Sequence, residues 1–196
     1  MSASENAAPF GELVATLKKA VAALREANVP YLLGGGLAIW ARGGAERDHD
    51  LDFLVKEEDG ERALQALVDA GMKPERPPEG WLFKAYDENG VLVDLIFRPA
   101  ENPVTDAMLE RGSELEVMAI KVNVIAAGDV LVSKLLALRE HELDYDTLIE
   151  MTRAVREQID WADVRRRTEH SPFARAFFTL AEGLDLIEPA RERATA

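Results

Sequence analysis

Residues 31–40 read YLLGGGLAIW, and residues 50–55 read DLDFLV. The first stretch predicts a short apolar strand, a turn at the three glycines and a short helix. The second stretch predicts a strand with an aspartate at its start and another two positions later. Because side chains alternate between the two faces of a strand, Asp50 and Asp52 should point to the same side.

A third carboxylate interrupts the apolar run at residues 91–97, which reads VLVDLIF. Alternation places Asp94 on one face with Leu92 and Ile96. An ionised carboxylate on such a face is costly unless a partner accompanies it. If this strand neighbours the strand at 50–55, the three aspartates converge. Convergent carboxylates beside a glycine turn suit magnesium and a phosphorylated ligand.

Each of these features also has a purely structural interpretation. One aspartate of the Asp-x-Asp pair could cap a turn or pair with Arg47 while the other faces water. Asp94 could form a buried ion pair with Lys84 on the partner strand of a hairpin. The glycines alone could serve a tight turn. Against the first interpretation, two like charges on one strand face repel unless a cation lies between them.

Composition narrows the class of protein. The chain has 196 residues, of which 47% are hydrophobic, so it forms one domain or two small lobes that share a core. It contains no cysteine, which excludes disulfides, zinc–thiolate sites, iron–sulfur clusters and cysteine nucleophiles. No apolar run reaches the roughly 20 residues of a membrane span. Residues 1–9 lack the basic and apolar regions of a signal peptide, so we expect a cytoplasmic protein without a membrane partner.

The chain is strongly acidic, with a formal net charge of −13. Overall acidity weakens contact with nucleic acid, because affinity for nucleic acid comes mainly from neutralising phosphates. It suits a small cationic substrate or a basic protein partner. The single run of arginines, at residues 165–167, is interpreted as a solvated helix face on which Asp163 pairs with Arg167.

The fold class predicted from these patterns is α+β. We expect a small mixed sheet with flanking helices over residues 1–126, followed by a helical lobe over residues 127–196. The α/β part is predicted to contain helices at 11–28 and 57–70, a hairpin of strands 81–86 and 91–97, an irregular proline-rich loop at 74–78, and one or two strands within 115–125. The helical lobe is predicted to contain helices at 129–140, 144–158, 160–170 and 172–187.

In order and spacing, the glycine turn, the Asp-x-Asp pair and the later aspartate resemble the nucleotidyltransferase superfamily, which has the polymerase-β-like fold. The resemblance covers roughly residues 10–100. It implies that Asp50 and Asp52 bind two magnesium ions. It also implies that Asp94 binds the catalytic magnesium and helps to deprotonate the attacking hydroxyl. Gly35 and Gly36 would then lie against the nucleotide.

The helical part resembles a narrower group, the AbiEii-type nucleotidyltransferases, which include toxins of toxin–antitoxin pairs. The resemblance rests on residues 132–139, VSKLLALR, followed by Asp144 and Asp146. It implies that Lys134 contacts the nucleoside triphosphate. Lys134 could instead lie at the boundary of an apolar stripe with its ammonium in water, and either aspartate could cap a helix.

The chain departs from the narrower group at two places. Asp48 stands where members of that group often carry a hydroxyl residue, and the spacing from Asp144 to Asp146 is one residue shorter than usual. His49, beside the metal pair, could contact a phosphate or be an exposed loop residue. Trp81 follows the proline-rich loop and is the better of two tryptophan candidates for the wall of a ligand site.

The function predicted from the sequence is magnesium-dependent transfer of a nucleoside monophosphate from a triphosphate such as ATP. The acceptor would be a hydroxyl of tRNA or of a protein, as in a toxin that acts with a neighbouring antitoxin. Three alternatives stay open. The first is an antibiotic nucleotidyltransferase that modifies an aminoglycoside or a lincosamide. The second is a catalytically inactive binding module, favoured by Asp48 and opposed by the retention of all three carboxylates. The third is an interaction protein that uses its acidic surface.

Overall fold

The structure is a computed structural model and describes residues 10–45 and 50–189. Within those ranges the α-helices are α1 (Phe10–Glu26), α2 (Gly35–Ala41), α3 (Gly60–Asp69), α4 (Asp106–Arg111), α5 (Ala127–Ala137), α6 (Tyr145–Val155), α7 (Trp161–Thr168) and α8 (Pro172–Gly183). The strands are β1 (Leu32–Leu33), β2 (Leu51–Leu54), β3 (Lys73–Glu75), β4 (Leu82–Tyr86), β5 (Leu92–Ile96), β6 (Ser113–Val117) and β7 (Ile120–Val124).

The strands form one mixed sheet in the order β3-β4-β5-β2-β1-β7-β6. Strand β2 pairs in parallel with β5, and β1 pairs in parallel with β7, while the other neighbours are antiparallel. The α+β class and the mixed sheet are therefore confirmed. The strands at the centre of the sheet, β5, β2 and β1, are the ones that the sequence marked with aspartates and glycines.

Helices packed against the sheet and against one another bury the core. Helix α1 packs on α3, which packs on β4 and β5, while α5 packs on α2, α6, α7 and α8. The apolar side chains on one face of α1 are buried, with Leu17 and Leu24 both at 0% exposure. One continuous hydrophobic cluster includes Phe53 of β2 and Phe177 of α8. The chain changes from strands to helices between β7 and α5, at the predicted boundary, and the division into two domains at residue 126 stays a prediction.

Local differences from the predicted elements have simple causes. Helix α1 ends at Glu26 rather than at 28, because Asn28 takes a left-handed φ of 52°. Part of the region predicted as an irregular loop is the edge strand β3. Its proline, Pro74, is tolerated at an edge, where a missing N–H need not be paired. The predicted hairpin turn at 87–90 is present, and Gly90 has a φ of 82°.

No helix in the described part of the chain is both long and apolar enough to cross a membrane. Three positions named from the sequence, Arg47, Asp48 and His49, lie outside the described residues, as do the first nine residues and the last seven.

Candidate active site

The glycine turn lies directly against the Asp-x-Asp strand. Gly34 follows β1 and donates its N–H to the carbonyl of Asp52 at 2.7 Å. Gly35 begins α2 with a φ of +59°, and a Cβ added there would lie 1.8 Å from Oδ2 of Asp52. Two requirements thus select glycine at this position, the left-handed backbone and the space that the Asp52 carboxylate fills.

Asp50 and Asp52 differ in their surroundings although they belong to the same stretch. Asp50 precedes β2 and is exposed, whereas Asp52 lies within β2 and is half-buried. Leu51 and Phe53, which alternate with them, are both 0% exposed. The apolar residues therefore anchor one face of β2 in the core, and alternation turns the two carboxylates to the other face.

Asp94 is brought to the same face by strand pairing. Strands β2 and β5 are parallel neighbours, and their register sets Asp52 opposite Asp94. Residues directly opposite each other on adjacent strands project to the same side of a sheet. The convergence expected from the sequence required these two strands to be neighbours, and they are.

Asp94 also has the ion-pair partner that the structural interpretation assigned to it. Lys84 lies opposite Asp94 in the β4–β5 register, and its Nζ donates to Oδ1 of Asp94 at 3.0 Å. The two side chains are only 24% and 15% exposed. Lys84 thus supplies a positive charge at the edge of the carboxylate group.

Electrostatics distinguish Asp94 from an ordinary surface aspartate. Burial raises the pKa of the Asp94 carboxyl, and the nearby charge of Asp50 adds to that effect, while the hydrogen bond from Lys84 offsets only part of it. In turn, burial lowers the pKa of Lys84, but the contact with Asp94 more than compensates and leaves it raised. The Asp94 carboxyl is therefore easier to protonate than an ordinary aspartate even with Lys84 in place.

The donor set fits magnesium in chemical type, since this ion prefers carboxylate oxygens. Within residues 10–45 and 50–189, however, no three acidic or histidine side chains are already arranged to hold a metal ion. Lys84 occupies one oxygen of Asp94, and Asp52 is directed towards Gly35. The strands align the backbone positions of these aspartates, so rotation of side chains is the movement that binding a metal would require.

Lys134, which belongs to the helical part of the chain, lies near the glycine turn. It lies near the end of α5 and is half-buried. Together with Gly36 of α2 and Thr147 of α6, it lines a small cavity of about 40 Å³. Lys134 and Thr147 also line a neighbouring cavity of about 180 Å³. Lys134 and Gly36 therefore line one cavity, and a contact of Lys134 with a triphosphate stays a prediction.

Asp144 is a helix cap, the structural alternative given for it. Its side chain accepts a hydrogen bond from the backbone N–H of Thr147 at 3.1 Å, at the start of α6. The neighbouring Asp146 is exposed in the first turn of the same helix. The helices predicted over residues 160–170 and 172–187 likewise begin with capping side chains, those of Asp160 and Ser171.

A third, larger cavity continues from the Lys134 region. It has a volume of about 670 Å³ and shares Ala137 and Glu142 with the 180 Å³ cavity. Its wall includes Trp81, which is 40% exposed. The remaining residues that line it are Glu79, Arg98, Ala100, Glu101 and Arg139.

The charged side chains that line this cavity differ in whether they have partners within the protein. Arg98 bonds Glu57 at 2.9 Å, and Arg139 bonds the carbonyls of Leu136 and Leu138. In the part of the chain that the structure describes, Glu79 and Glu142 take part in no ion pair within 4.0 Å. Sequence reasoning found Trp81 but missed these glutamates, because they come from separate loops and no local pattern connects them.

The sequence profile of one protein family, described as "Uncharacterised nucleotidyltransferase", matches residues 5–182. No curated protein matches the sequence significantly.

Solved structures of antibiotic-modifying proteins are similar to this one. A crystal structure of ANT(2'')-Ia in complex with adenylyl-2''-tobramycin has a TM-score of 0.61 at 19% identity, over 86% of this chain and 98% of that chain. A solution structure of the same antibiotic-resistance factor gives 0.58 at 18% identity, over 89% and 97%. The lincomycin-bound lincosamide antibiotic adenylyltransferase LnuA gives 0.50 at 20% identity, over 74% and 96%. At such identities the likeness establishes a shared fold.

Proposed function

Because the chain belongs to the family of uncharacterised nucleotidyltransferases, and is by that membership a transferase, we propose that it moves a nucleoside monophosphate from a nucleoside triphosphate to an acceptor hydroxyl. Asp50, Asp52 and Asp94 would hold magnesium. The observation that carries this proposal is the register of β2 and β5, which sets Asp52 opposite Asp94, with Gly35 making room for the Asp52 carboxylate.

Magnesium, when bound, would neutralise phosphate charge and polarise the phosphoryl oxygens. The acceptor oxygen forms a bond to the α-phosphorus, the bond from that phosphorus to the bridging oxygen breaks, and pyrophosphate leaves. Asp94 takes the proton of the acceptor hydroxyl.

The other named residues would bind and orient the triphosphate. Gly35 makes room for the Asp52 carboxylate, and Lys134 lines the same cavity as Gly36. A lysine ammonium at that position offsets phosphate charge in the ground state and in the transition state. Most of the rate acceleration would therefore come from positioning and charge neutralisation, as in phosphoryl transfer generally.

For the acceptor, we propose a small cationic molecule that carries a hydroxyl group. The cavity beside Trp81 supports this choice, because it offers an aromatic wall and the carboxylates of Glu79 and Glu142. The net charge of −13 disfavours tRNA. The complexes of similar structures with a tobramycin derivative and with lincomycin lend further support. The toxin-like acceptor and an antitoxin partner rest on the stretch around Lys134 alone.

The test is transfer of label from α-labelled ATP, GTP, CTP and UTP in the presence of magnesium. The acceptors are tobramycin, lincomycin and bulk tRNA, and the products are pyrophosphate and the labelled acceptor. We expect transfer to a cationic small molecule that is lost in Asp94→Asn and kept in Asp69→Asn, which changes an exposed aspartate on α3. Lys134→Met should raise the KM for the triphosphate.

The outcomes separate the candidate functions. Transfer to tRNA alone would overturn the small-molecule acceptor and favour the toxin-like function. Magnesium-dependent binding of a triphosphate without transfer to any of these acceptors would favour a binding module. Full activity of Asp94→Asn would remove this carboxylate from the reaction.

A further inference from the structure

Lys84 is in direct contact with Asp94, and the mechanism proposed above gives it no role. It lies on β4, opposite Asp94 of β5, and its Nζ is 3.0 Å from Oδ1 of Asp94. The contact is sheltered, since the Asp94 side chain is 15% exposed. A sheltered pair of this kind has far less freedom than an exposed ion pair.

Lys84 has an alternative acidic neighbour and does not pair with it. Glu75 of β3 lies opposite Lys84 in the β3–β4 register. Among the described residues, the ion pair of Lys84 within 4.0 Å is nevertheless with Asp94. The ammonium is thus directed towards the carboxylate group at the centre of the sheet rather than towards the sheet edge.

The contact distinguishes the two oxygens of Asp94. Oδ1 accepts from Lys84, so Oδ2 is the oxygen left for other partners. A carboxylate held by one oxygen keeps its orientation, and orientation is what a group that takes a proton or binds a cation needs.

We propose that Lys84 is a positioning residue that fixes Asp94 through Oδ1 and presents Oδ2 to the metal and to the acceptor. This inference rests on the proposed function. It assigns Lys84 two effects of opposite sign. The ammonium orients Asp94, which favours turnover, and it lends positive charge to the carboxylate group, which weakens metal binding before the nucleotide arrives.

Those two effects make Lys84→Met informative. Without the ammonium, three carboxylates face one another with less compensating charge, so a divalent cation should bind the free protein roughly fivefold more tightly or better. Turnover should fall by about 10- to 100-fold, the usual cost of losing a partner of a metal-binding side chain. The KM for the triphosphate should change little, because Lys84 contacts Asp94 rather than the glycine turn.

The measurements are Mn²⁺ binding to the nucleotide-free protein, followed by the signal of the free ion in electron paramagnetic resonance, and kcat with KM for the triphosphate. Lys84→Arg keeps the charge and should restore both quantities to near the wild-type values. Lys121→Met is the matched control, because Lys121 pairs with Glu114 across β6 and β7, away from the site. It should change neither quantity.

A double-mutant cycle with Asp94→Asn tests whether Lys84 acts through Asp94. The tightening of Mn²⁺ binding by Lys84→Met should vanish when residue 94 is asparagine. If Lys84→Met fails to fold, Lys84→Gln, which removes the charge and keeps a polar side chain, replaces it in the cycle with the same expected tightening of Mn²⁺ binding.

The outcomes separate this inference from the proposed function. Transfer and Mn²⁺ binding by the wild type with an unchanged Lys84→Met would overturn the role of Lys84 and leave the function standing. Weaker Mn²⁺ binding in Lys84→Met would also overturn it, since a merely structural role predicts that loss. A wild type that neither binds Mn²⁺ nor transfers a nucleotide would overturn both.

Discussion

At the scale of single residues, Gly35 is the position with the least tolerance for change in the candidate site. A side chain there meets two obstacles, a left-handed φ of +59° and the Asp52 carboxylate within 1.8 Å of the added Cβ. Relief of that overlap requires either the carboxylate or the turn to move. The glycine turn and the Asp-x-Asp pair are thus one structural unit.

Gly35→Ala should therefore lose activity by more than it loses stability. We expect a loss of about 1–2 kcal/mol in unfolding free energy from the left-handed backbone, and a fall of roughly 100-fold in kcat/KM from the displaced carboxylate. Urea unfolding and transfer assays measure the two. Gly71→Ala is the matched control, since Gly71 has a φ of +90° with nothing within 4 Å of an added Cβ. Equal activity of the two variants would contradict the link between the turn and Asp52.

Residue patterns predicted the carboxylate face for a physical reason. Alternation along a strand is a local property. The sequence therefore showed that Asp50 and Asp52 share a face and that Asp94 is a charge on an otherwise apolar face. The choice between a metal ligand and an ion pair for Asp94 was not, because both interpretations place the same residue on the same face. The structure shows the ion pair with Lys84, and the magnesium role of Asp94 stays a proposal.

At the scale of elements, the β4–β5 hairpin positions both Asp94 and Lys84, and its turn has its own buried anchor. Asp87 accepts from the Thr16 hydroxyl of α1 at 2.5 Å and from the N–H groups of Asn89 and Val91. Burial raises the pKa of Asp87, but these hydrogen bonds outweigh it and leave the pKa below its ordinary value.

Asp87→Asn should cost about 1.5–3 kcal/mol of stability at neutral pH, the range for hydrogen bonds to a charged group. A carboxyl whose folded pKa is lowered stabilises the fold above its unfolded pKa, and that contribution is lost as the pH falls through the folded value. The difference in unfolding free energy between wild type and variant should thus be constant from pH 7 to about 5 and should disappear below about 4. Thermal unfolding across that range measures it.

Glu88→Gln is the control for the hairpin turn. Glu88 is exposed in the same turn, and its ion pair with Lys19 is long, at 3.7 Å. This substitution should change stability little at any pH. A difference for Asp87→Asn that widens on acidification would contradict the assignment of a stabilising, ionised Asp87.

Element boundaries were predictable where a cap or a turn marks them. Asp160 and Ser171 begin helices as predicted, each accepting from a backbone N–H in the first turn. The edge strand β3 was missed because a proline argues against a strand until its place at an edge is known. The arrangement of Lys134 beside Gly36 depends on how α5 packs on α2, which no local pattern encodes.

At the scale of the whole molecule, a buried aspartate connects three helices. Asp129 of α5 is 1% exposed and accepts two bonds from Arg111 of α4, both at 2.9 Å. Its Oδ1 is also 2.7 Å from Arg167 of α7. The arginine run was predicted as a solvated face with Asp163 pairing Arg167. That pair is present at 3.1 Å, but Arg167 is only 23% exposed because it also reaches Asp129.

Asp129→Asn should destabilise the protein by about 1.5–3 kcal/mol, since it weakens the charged hydrogen bonds that a buried carboxylate accepts from Arg111 and its ion pair with Arg167. Because α5 carries Lys134, we expect the KM for the triphosphate to rise together with the loss of stability. Urea unfolding measures the first quantity and transfer assays the second. Asp69→Asn, a change at an exposed position, should leave both unchanged, and a loss below about 1 kcal/mol for Asp129→Asn would contradict the role of this cluster.

The central proposal is that the aligned carboxylates of β2 and β5 form a magnesium-dependent triphosphate site. Calorimetric titration of ATP, GTP, CTP and UTP, with and without magnesium, tests it most directly on the wild type, Asp52→Asn and Asp69→Asn. We predict magnesium-dependent binding of at least one triphosphate to the wild type and to Asp69→Asn, and its loss in Asp52→Asn. Binding that ignores magnesium, or that survives unchanged in Asp52→Asn, would contradict the proposal.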